Sequence, residues 1–195
     1  MYDVIGSRAT RAIRVLWMLE EIGAPYNHVA ASPRSPEASA VNPSGKVPNL
    51  RDGDTVLTDS AAILTYLSDK HGALTHTPGT PERGRQDCLL HQVLDEVDGV
   101  LWMAARHSFV LPEERRVPAV KDTLKWEFNR NVARLADRLE GPFLMGDSMT
   151  LPDIVLTHCL GWAERAGFDG PGEALTAYRS RMEAREAFQK VITLP

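Results

Sequence analysis

The chain contains only two cysteines, Cys88 and Cys159, among its 195 residues. Both lie within helical patterns and neither has neighbours at metal-ligand spacing, so the sequence indicates neither a disulfide framework nor a zinc site. We expect both thiols to be reduced and buried. The six histidines are scattered, with no His-Glu-x-x-His pair, so the sequence predicts no metal centre.

Long apolar runs and an excess of positive charge are also missing. Lys and Arg total 22 against 26 Asp and Glu, for a net charge of −4, and no basic block is long enough to follow a phosphate backbone. Nucleic acid is therefore excluded as a first choice of partner. No apolar run reaches membrane-spanning length, and the chain starts with a strand-like Tyr2–Ile5 rather than a targeting segment. We expect a globular cytoplasmic protein that does not bind membranes.

Residues 1–72 alternate short strand and helix patterns. The predicted elements are a strand at Tyr2–Ile5, a helix at Ala12–Ile22 that stops at Gly23 and Pro25, a strand at Tyr26–Val29, a Ser- and Pro-rich connector over 32–44, strands near 47–50 and 55–57, and a helix over 60–70. The order βαβ, loop, ββα predicts a thioredoxin-like α/β domain.

The rest of the chain has a different pattern. Residues 73–82 contain Pro78, Gly79 and Pro81 and are predicted to be a linker. Over 83–195 the apolar residues recur at helical spacing, which predicts an all-α helical bundle domain. Within it, Thr150-Leu-Pro-Asp153 matches a helix-capping box, with Asp in place of the usual Glu or Gln.

Two segments of the first domain predict a binding site for a small peptide. In Asn42-Pro-Ser-Gly-Lys-Val-Pro-Asn-Leu50, Val47 precedes a proline and is biased toward extended geometry, and a cis Val47-Pro48 bond would expose its N–H and C=O to an extended peptide. Asp59 and Ser60 open a helix whose free N–H groups can bind a carboxylate. Each segment also has a plainer interpretation: a trans proline, and an ordinary helix N-cap.

These motifs resemble the glutathione-binding half of the cytosolic glutathione transferases, of a serine-type, theta-like or related bacterial class. The resemblance implies glutathione as co-substrate, bound along Val47 and Pro48. It implies that Ser60 binds the γ-glutamyl carboxylate and that Asp59 meets the ammonium group, either directly or across a dimer interface. Lys46 and Arg34 are candidates for the glycyl carboxylate, although a loop lysine is more often simply solvated.

A glutathione-dependent enzyme must ionise the thiol of its co-substrate, whose free pKa is about 8.5. Ser7 follows the first strand and precedes a helix that begins near Thr10, so its hydroxyl can donate to the thiolate while helix N–H groups add positive potential. By resemblance, Ser7 takes the catalytic hydroxyl position. Thr10 is the competing candidate, and either residue can instead be a plain N-cap. No cysteine lies between Ser7 and Thr10, which disfavours thiol-exchange chemistry.

The resemblance also places an acceptor pocket on the first helix of the second domain, at Trp102, Arg106 and Phe109. A packed helix face or a dimer contact explains the same residues equally well. The implied protein is a homodimeric glutathione transferase that conjugates glutathione to a small hydrophobic electrophile. The alternatives are a non-catalytic glutathione-binding or scaffold protein and a glutathione-dependent lyase, such as an etherase or a dehalogenase.

Overall fold

The computed structural model describes all 195 residues and divides into two compact units. Unit 1 comprises Met1–Pro78 together with Glu183–Pro195, and unit 2 comprises Gly79–Met182. The sequence pattern assigns the last thirteen residues to the helical domain because they are helical, whereas in the structure they pack with unit 1. Helical periodicity reports the local conformation of a segment, and it contains no information about which unit buries its apolar face.

Unit 1 is built on a four-stranded mixed sheet. Its strands are β1 (Tyr2–Ile5), β2 (Tyr26–Val29), β3 (Asn49–Asp52) and β4 (Thr55–Thr58), in the spatial order β2-β1-β3-β4. β1 is parallel to β2 and antiparallel to β3, and β3 is antiparallel to β4. The helices are α1 (Ala12–Ile22), α2 (Pro36–Val41) and α3 (Ser60–His71). This arrangement confirms the predicted thioredoxin-like α/β fold.

Two elements of unit 1 differ from the sequence-based expectation. The Ser- and Pro-rich connector contains the short helix α2, in which the Ser35 side chain accepts from the Ala38 N–H and Pro36 occupies the first turn. β3 starts at Asn49 rather than at Val47 because Pro48 has no N–H to contribute to a ladder. The observed strand therefore begins two residues after the predicted start at Val47.

The C-terminal segment docks on α1 through the short helix α9 (Glu186–Val191). Arg185 donates two hydrogen bonds, of 2.6 and 2.7 Å, to the Glu21 carboxylate. The rings of Trp17 and Phe188 meet edge to face with centroids 4.9 Å apart. Arg8, at the other end of α1, donates to the Leu194 carbonyl oxygen. Charge, aromatic packing and a backbone contact thus hold the segment along the length of α1.

Unit 2 is helical, as predicted. Its helices are α4 (Pro81–Val93), α5 (Gly99–Ala105), α6 (Val120–Ala136), α7 (Leu151–Arg165) and α8 (Glu173–Glu183). Single π-helical turns at Leu94–Asp98 and Arg106–Val110 precede and follow α5, and a 3₁₀ turn covers Glu113–Arg115. No helix in the structure has both the length and the apolar character needed to cross a bilayer.

The predicted capping box is present at the start of α7. The buried Asp153 carboxylate accepts from the backbone N–H of Thr150 at 2.8 Å and from that of Leu144 at 2.9 Å, and the Tyr178 hydroxyl donates to it at 2.8 Å. Burial raises the pKa of Asp153, and these hydrogen bonds act in the opposite direction. Both cysteines are free; Cys159 is buried, but Cys88 is exposed because it lies on the solvent side of α4.

Candidate glutathione site

The register of the sheet brings three separate segments to one end of unit 1. Ile5 pairs with Asn49, and Asn49 pairs with Thr58. Because both pairings are antiparallel, the chain that leaves β1 lies beside the chain that enters β3 and the chain that leaves β4. Those three stretches are 6–7, 47–48 and 59–60, the same ones that the sequence motifs single out.

Gly6 shows how close two of these segments come. It has φ +149°, and a Cβ atom added to it would lie 2.8 Å from the Ala12 Cβ atom and 3.1 Å from the Val47 Cβ atom. A side chain at this position would therefore collide with both α1 and the Val47-Pro48 turn. The absence of a side chain allows the residue that follows, Ser7, to lie next to that turn.

The hydroxyls of Ser7 and Thr10 have different hydrogen-bond partners. The Thr10 hydroxyl donates to the Ser7 carbonyl oxygen at 2.7 Å and accepts from the Ala12 N–H at 3.2 Å. The Ser7 hydroxyl oxygen accepts from the Ala9 N–H at 3.3 Å, and its proton has no acceptor within the protein. α1 begins at Ala12, after a turn over 7–11. Of the two candidates, Ser7 alone has a hydroxyl proton available to a ligand.

The Val47-Pro48 peptide bond is cis. The half-buried Val47 side chain packs against a small apolar cluster of Ile5, Ala31 and Ala38. Its backbone N–H and C=O have no partner within the protein. An unpaired donor and acceptor on one residue is the arrangement that an added peptide strand requires.

A side-chain network holds the loop before this turn. The buried Asn49 donates to the Lys46 carbonyl oxygen at 2.9 Å and accepts from the Asn42 side chain at 3.0 Å. Lys46 itself is exposed, and so is Arg34, whose N–H donates to the Gly45 carbonyl oxygen at 2.7 Å. Both cations therefore belong to the same loop region, with their backbones fixed and their side chains in solvent.

Asp59 and Ser60 form the start of α3. Asp59 has φ +71°, and its carboxylate accepts from the N–H groups of Ala61 at 2.9 Å and Ala62 at 3.2 Å. The predicted N-cap is therefore present at Asp59. Ser60 is 3% exposed, and its own N–H has no partner within the protein. The donors that remain at the helix start belong to Ser60.

The three predicted acceptor-pocket residues lie in unit 2. Trp102 on α5 and Arg106 at the following π-helical turn are half-buried, one helical turn apart. Phe109 is 69% exposed, an unusual value for a phenylalanine. No group of three or more His, Cys, Asp or Glu side chains in the structure is arranged to hold a metal ion.

Sequence reasoning missed three polar residues that support the site: Arg14, Asn42 and Asn49. Arg14 has no exposed surface, and its Nη1 lies 3.3 Å from the Ser60 Oγ. The sequence marks Arg14 as a charged residue within the otherwise apolar stretch 12–19, and the structure buries almost all of that stretch. The two asparagines frame the Gly-Lys-Val-Pro motif, but nothing in the sequence indicates that their amides bond to each other.

Two family models match the chain. The glutathione S-transferase N-terminal domain matches residues 2–79, and the glutathione S-transferase C-terminal domain matches residues 100–186. Together they cover most of the chain and leave a gap at α4 and the π-helical turn after it.

The chain is also similar to individual glutathione S-transferases. Human glutathione S-transferase theta-2B is 32% identical over 77% of this chain and 65% of its own length, so the chain spans about two thirds of that relative. Glutathione S-transferase 4 of Zea mays is 31% identical over 91% of this chain and 85% of its own length. Among solved structures, the theta class glutathione S-transferase of Xanthomonas axonopodis pv. citri with glutathione bound has a TM-score of 0.80 at 26% identity, covering 100% of this chain and 98% of its own. With this sheet and helical unit, and with relatives of these lengths and identities, the chain belongs to the glutathione S-transferase family.

Proposed function

We propose that this protein is a glutathione transferase that conjugates the glutathione thiolate to a small hydrophobic electrophile. The observation that carries the proposal is the convergence of three sets of unused polar groups at one end of the sheet. They are the Ser7 hydroxyl proton, the backbone N–H and C=O of Val47, and the N–H of Ser60. Family membership supports the same assignment.

Each set fits a different part of the tripeptide. The N–H and C=O of Val47 pair with the backbone of the cysteinyl residue, as an edge strand pairs with an added strand. The N–H of Ser60 and the positive end of α3 bind the carboxylate of the γ-glutamyl residue. Asp59 lies beside this position and offers its carboxylate to the ammonium group. Lys46 and Arg34 lie in one loop region with exposed side chains, and we propose that they offer their charges to the glycyl carboxylate.

The thiol is the reacting group. Ser7 donates a hydrogen bond to the sulfur, which favours the thiolate over the thiol, and the thiol proton leaves to solvent. The thiolate then attacks an electrophilic carbon of the acceptor. A carbon–sulfur bond forms, and the leaving group departs with its bonding electron pair. No metal or redox cofactor takes part in this sequence of steps.

The acceptor is proposed to bind against Trp102, Arg106 and Phe109, because the aromatic surfaces of Trp102 and Phe109 suit a small apolar molecule. By family membership we also propose a homodimer and a cytoplasmic location.

Calorimetric titration with glutathione, followed by ultraviolet difference absorbance across pH, tests the proposal. S-Methylglutathione is the matched control because it has the same binding groups and no ionisable thiol. We expect both peptides to bind and only glutathione to give a thiolate signal, with an apparent pKa below that of the free peptide. Binding without a lowered pKa would favour a non-catalytic glutathione-binding protein. Absence of binding by both peptides would refute the site.

A further inference from the structure

A fully buried arginine lies against the start of α3. Arg14 belongs to α1, has no solvent-exposed surface, and donates from Nη1 to the Ser60 Oγ at 3.3 Å. Helices α1 and α3 pack together in unit 1. The arginine is therefore positioned behind the residue that offers free donors at the helix start.

Burying this side chain is costly. A guanidinium that leaves water needs hydrogen-bond partners for its donors, and an apolar residue of similar volume often fills such a space at no loss of stability. Arg14 satisfies part of this need through Ser60 and the rest through further contacts within the protein. A permanent charge in an otherwise apolar stretch of α1 suggests a role beyond packing.

The direction of the hydrogen bond between Arg14 and Ser60 indicates what Arg14 does. A guanidinium has donors and no acceptor, so the Ser60 oxygen must be the acceptor in this pair. The Ser60 hydroxyl proton then remains available to another acceptor. The carboxylate of Asp59 already takes the N–H groups of Ala61 and Ala62. The Ser60 N–H and O–H are thus the two donors left for a ligand, with a positive charge directly behind them.

We propose that Arg14 is a positioning residue for the γ-glutamyl carboxylate. It holds the Ser60 hydroxyl with its proton directed away from α1, and its charge adds to the positive potential at the start of α3. It acts through Ser60 and does not itself touch the peptide. The inference rests on the proposed function, since it deepens the assignment of that subsite.

The test compares glutathione with γ-aminobutyryl-Cys-Gly, which lacks only the γ-glutamyl carboxylate. We expect the wild-type protein to bind glutathione more tightly than the analogue. Arg14→Met should weaken glutathione binding by about ten- to hundredfold, the range of a hydrogen bond to a charged group, and change the affinity for the analogue less than about twofold. A merely structural role would weaken both peptides equally, and that result would overturn the inference.

Two further variants keep the test decisive. Arg14→Gln removes the charge but retains an amide donor for Ser60, so it replaces Arg14→Met if the latter does not fold, with a smaller loss that is selective in the same direction expected. Arg83→Met removes a buried arginine of unit 2 that is 9% exposed, and it should leave both affinities unchanged. An unselective loss in Arg14→Gln, or the same selective loss in Arg83→Met, would contradict the assignment.

The outcome also separates this inference from the proposed function. If the wild-type protein binds neither peptide, the proposed function itself fails. If it binds both peptides equally well, glutathione binding stands, and the role of Arg14 in carboxylate recognition is refuted.

Discussion

Replacement of Ser7 by alanine tests which hydroxyl ionises the thiol. Thr10 already donates its proton to the Ser7 carbonyl oxygen at 2.7 Å, whereas the Ser7 proton has no acceptor in the protein. A hydrogen bond to a charged acceptor contributes about 1.5–3 kcal/mol, which lowers a thiol pKa by roughly one to two units. We therefore expect Ser7→Ala to return the bound thiol to about its free pKa of 8.5.

The effect on turnover depends on pH. At pH 6.5 a bound thiol with a pKa of 8.5 is roughly 1% thiolate, and one with a pKa of 6.5–7.5 is roughly 10–50% thiolate. Turnover by Ser7→Ala at this pH should fall about ten- to fiftyfold. Above about pH 9.5 both proteins hold mostly thiolate, so their rates should converge. Glutathione affinity should change little because the remaining contacts are intact.

Thr10→Val is the matched control. It removes a hydroxyl of similar size from the same turn, together with its hydrogen bonds to Ser7 and Ala12. We expect a loss of about 1 kcal/mol in the free energy of unfolding and an unchanged pH profile. The assays are steady-state rates with an aromatic electrophile and thiolate absorbance, both recorded from pH 6 to 10. An unchanged profile in Ser7→Ala, or a shifted one in Thr10→Val, would refute the reasoning.

Three further predictions concern stability, measured by urea unfolding. Asp59→Ala should lower the free energy of unfolding more than Asp59→Gly does. Both variants lose the cap, worth about 1 kcal/mol, but only glycine adopts φ +71° without strain. Equal losses in the two variants would exclude strain at this position. Tyr178→Phe should cost about 1.5–3 kcal/mol near neutral pH by removing a donor to the buried Asp153. Burial raises the pKa of Asp153 above its value in the unfolded chain, so the Asp153 carboxylate of the folded protein is protonated first as the pH falls. The loss of stability in Tyr178→Phe should therefore become smaller in acid. A loss that does not change with pH would contradict this reasoning. Arg185→Met should lower the free energy of unfolding more than Arg185→Lys does, because it leaves the 8% exposed Glu21 carboxylate without its cation. Equal losses in the two variants would show that the Arg185–Glu21 pair contributes through packing alone.

The elements of unit 1 could be predicted because their signals are local. Ala12–Ile22 has both a helical repeat and a terminating Gly23 in the left-handed conformation, and the structure has those bounds. The short helix at Pro36–Val41 was missed because its six residues are too few for a repeat to be visible. Its Ser35 cap and first-turn proline are recognisable signals, but the three prolines and four serines of residues 32–44 are equally typical of a loop.

In the candidate site, too, only the residues with local sequence signals could be predicted. Val47-Pro48 and Asp59-Ser60 could be found because the chemistry is carried by consecutive residues. Arg14 could not, because its role depends on a contact 46 residues away with Ser60. The choice between Ser7 and Thr10 also stayed open in the sequence, since both are hydroxyl residues in one turn and only their partners in three dimensions differ.

The return of residues 183–195 to unit 1 has a consequence for how the protein is made. Unit 1 is discontinuous in the chain, and all of unit 2 is inserted between its two parts. Ribosomes add roughly 5–20 residues per second, so about 100 residues of unit 2 delay the arrival of α9 by roughly 5–20 seconds after the strands have emerged. During that interval Trp17 lacks the ring of Phe188, and Glu21 lacks Arg185. A nascent chain therefore displays, for those seconds, an acidic and aromatic stripe on α1 that is open to a chaperone and that the finished protein covers.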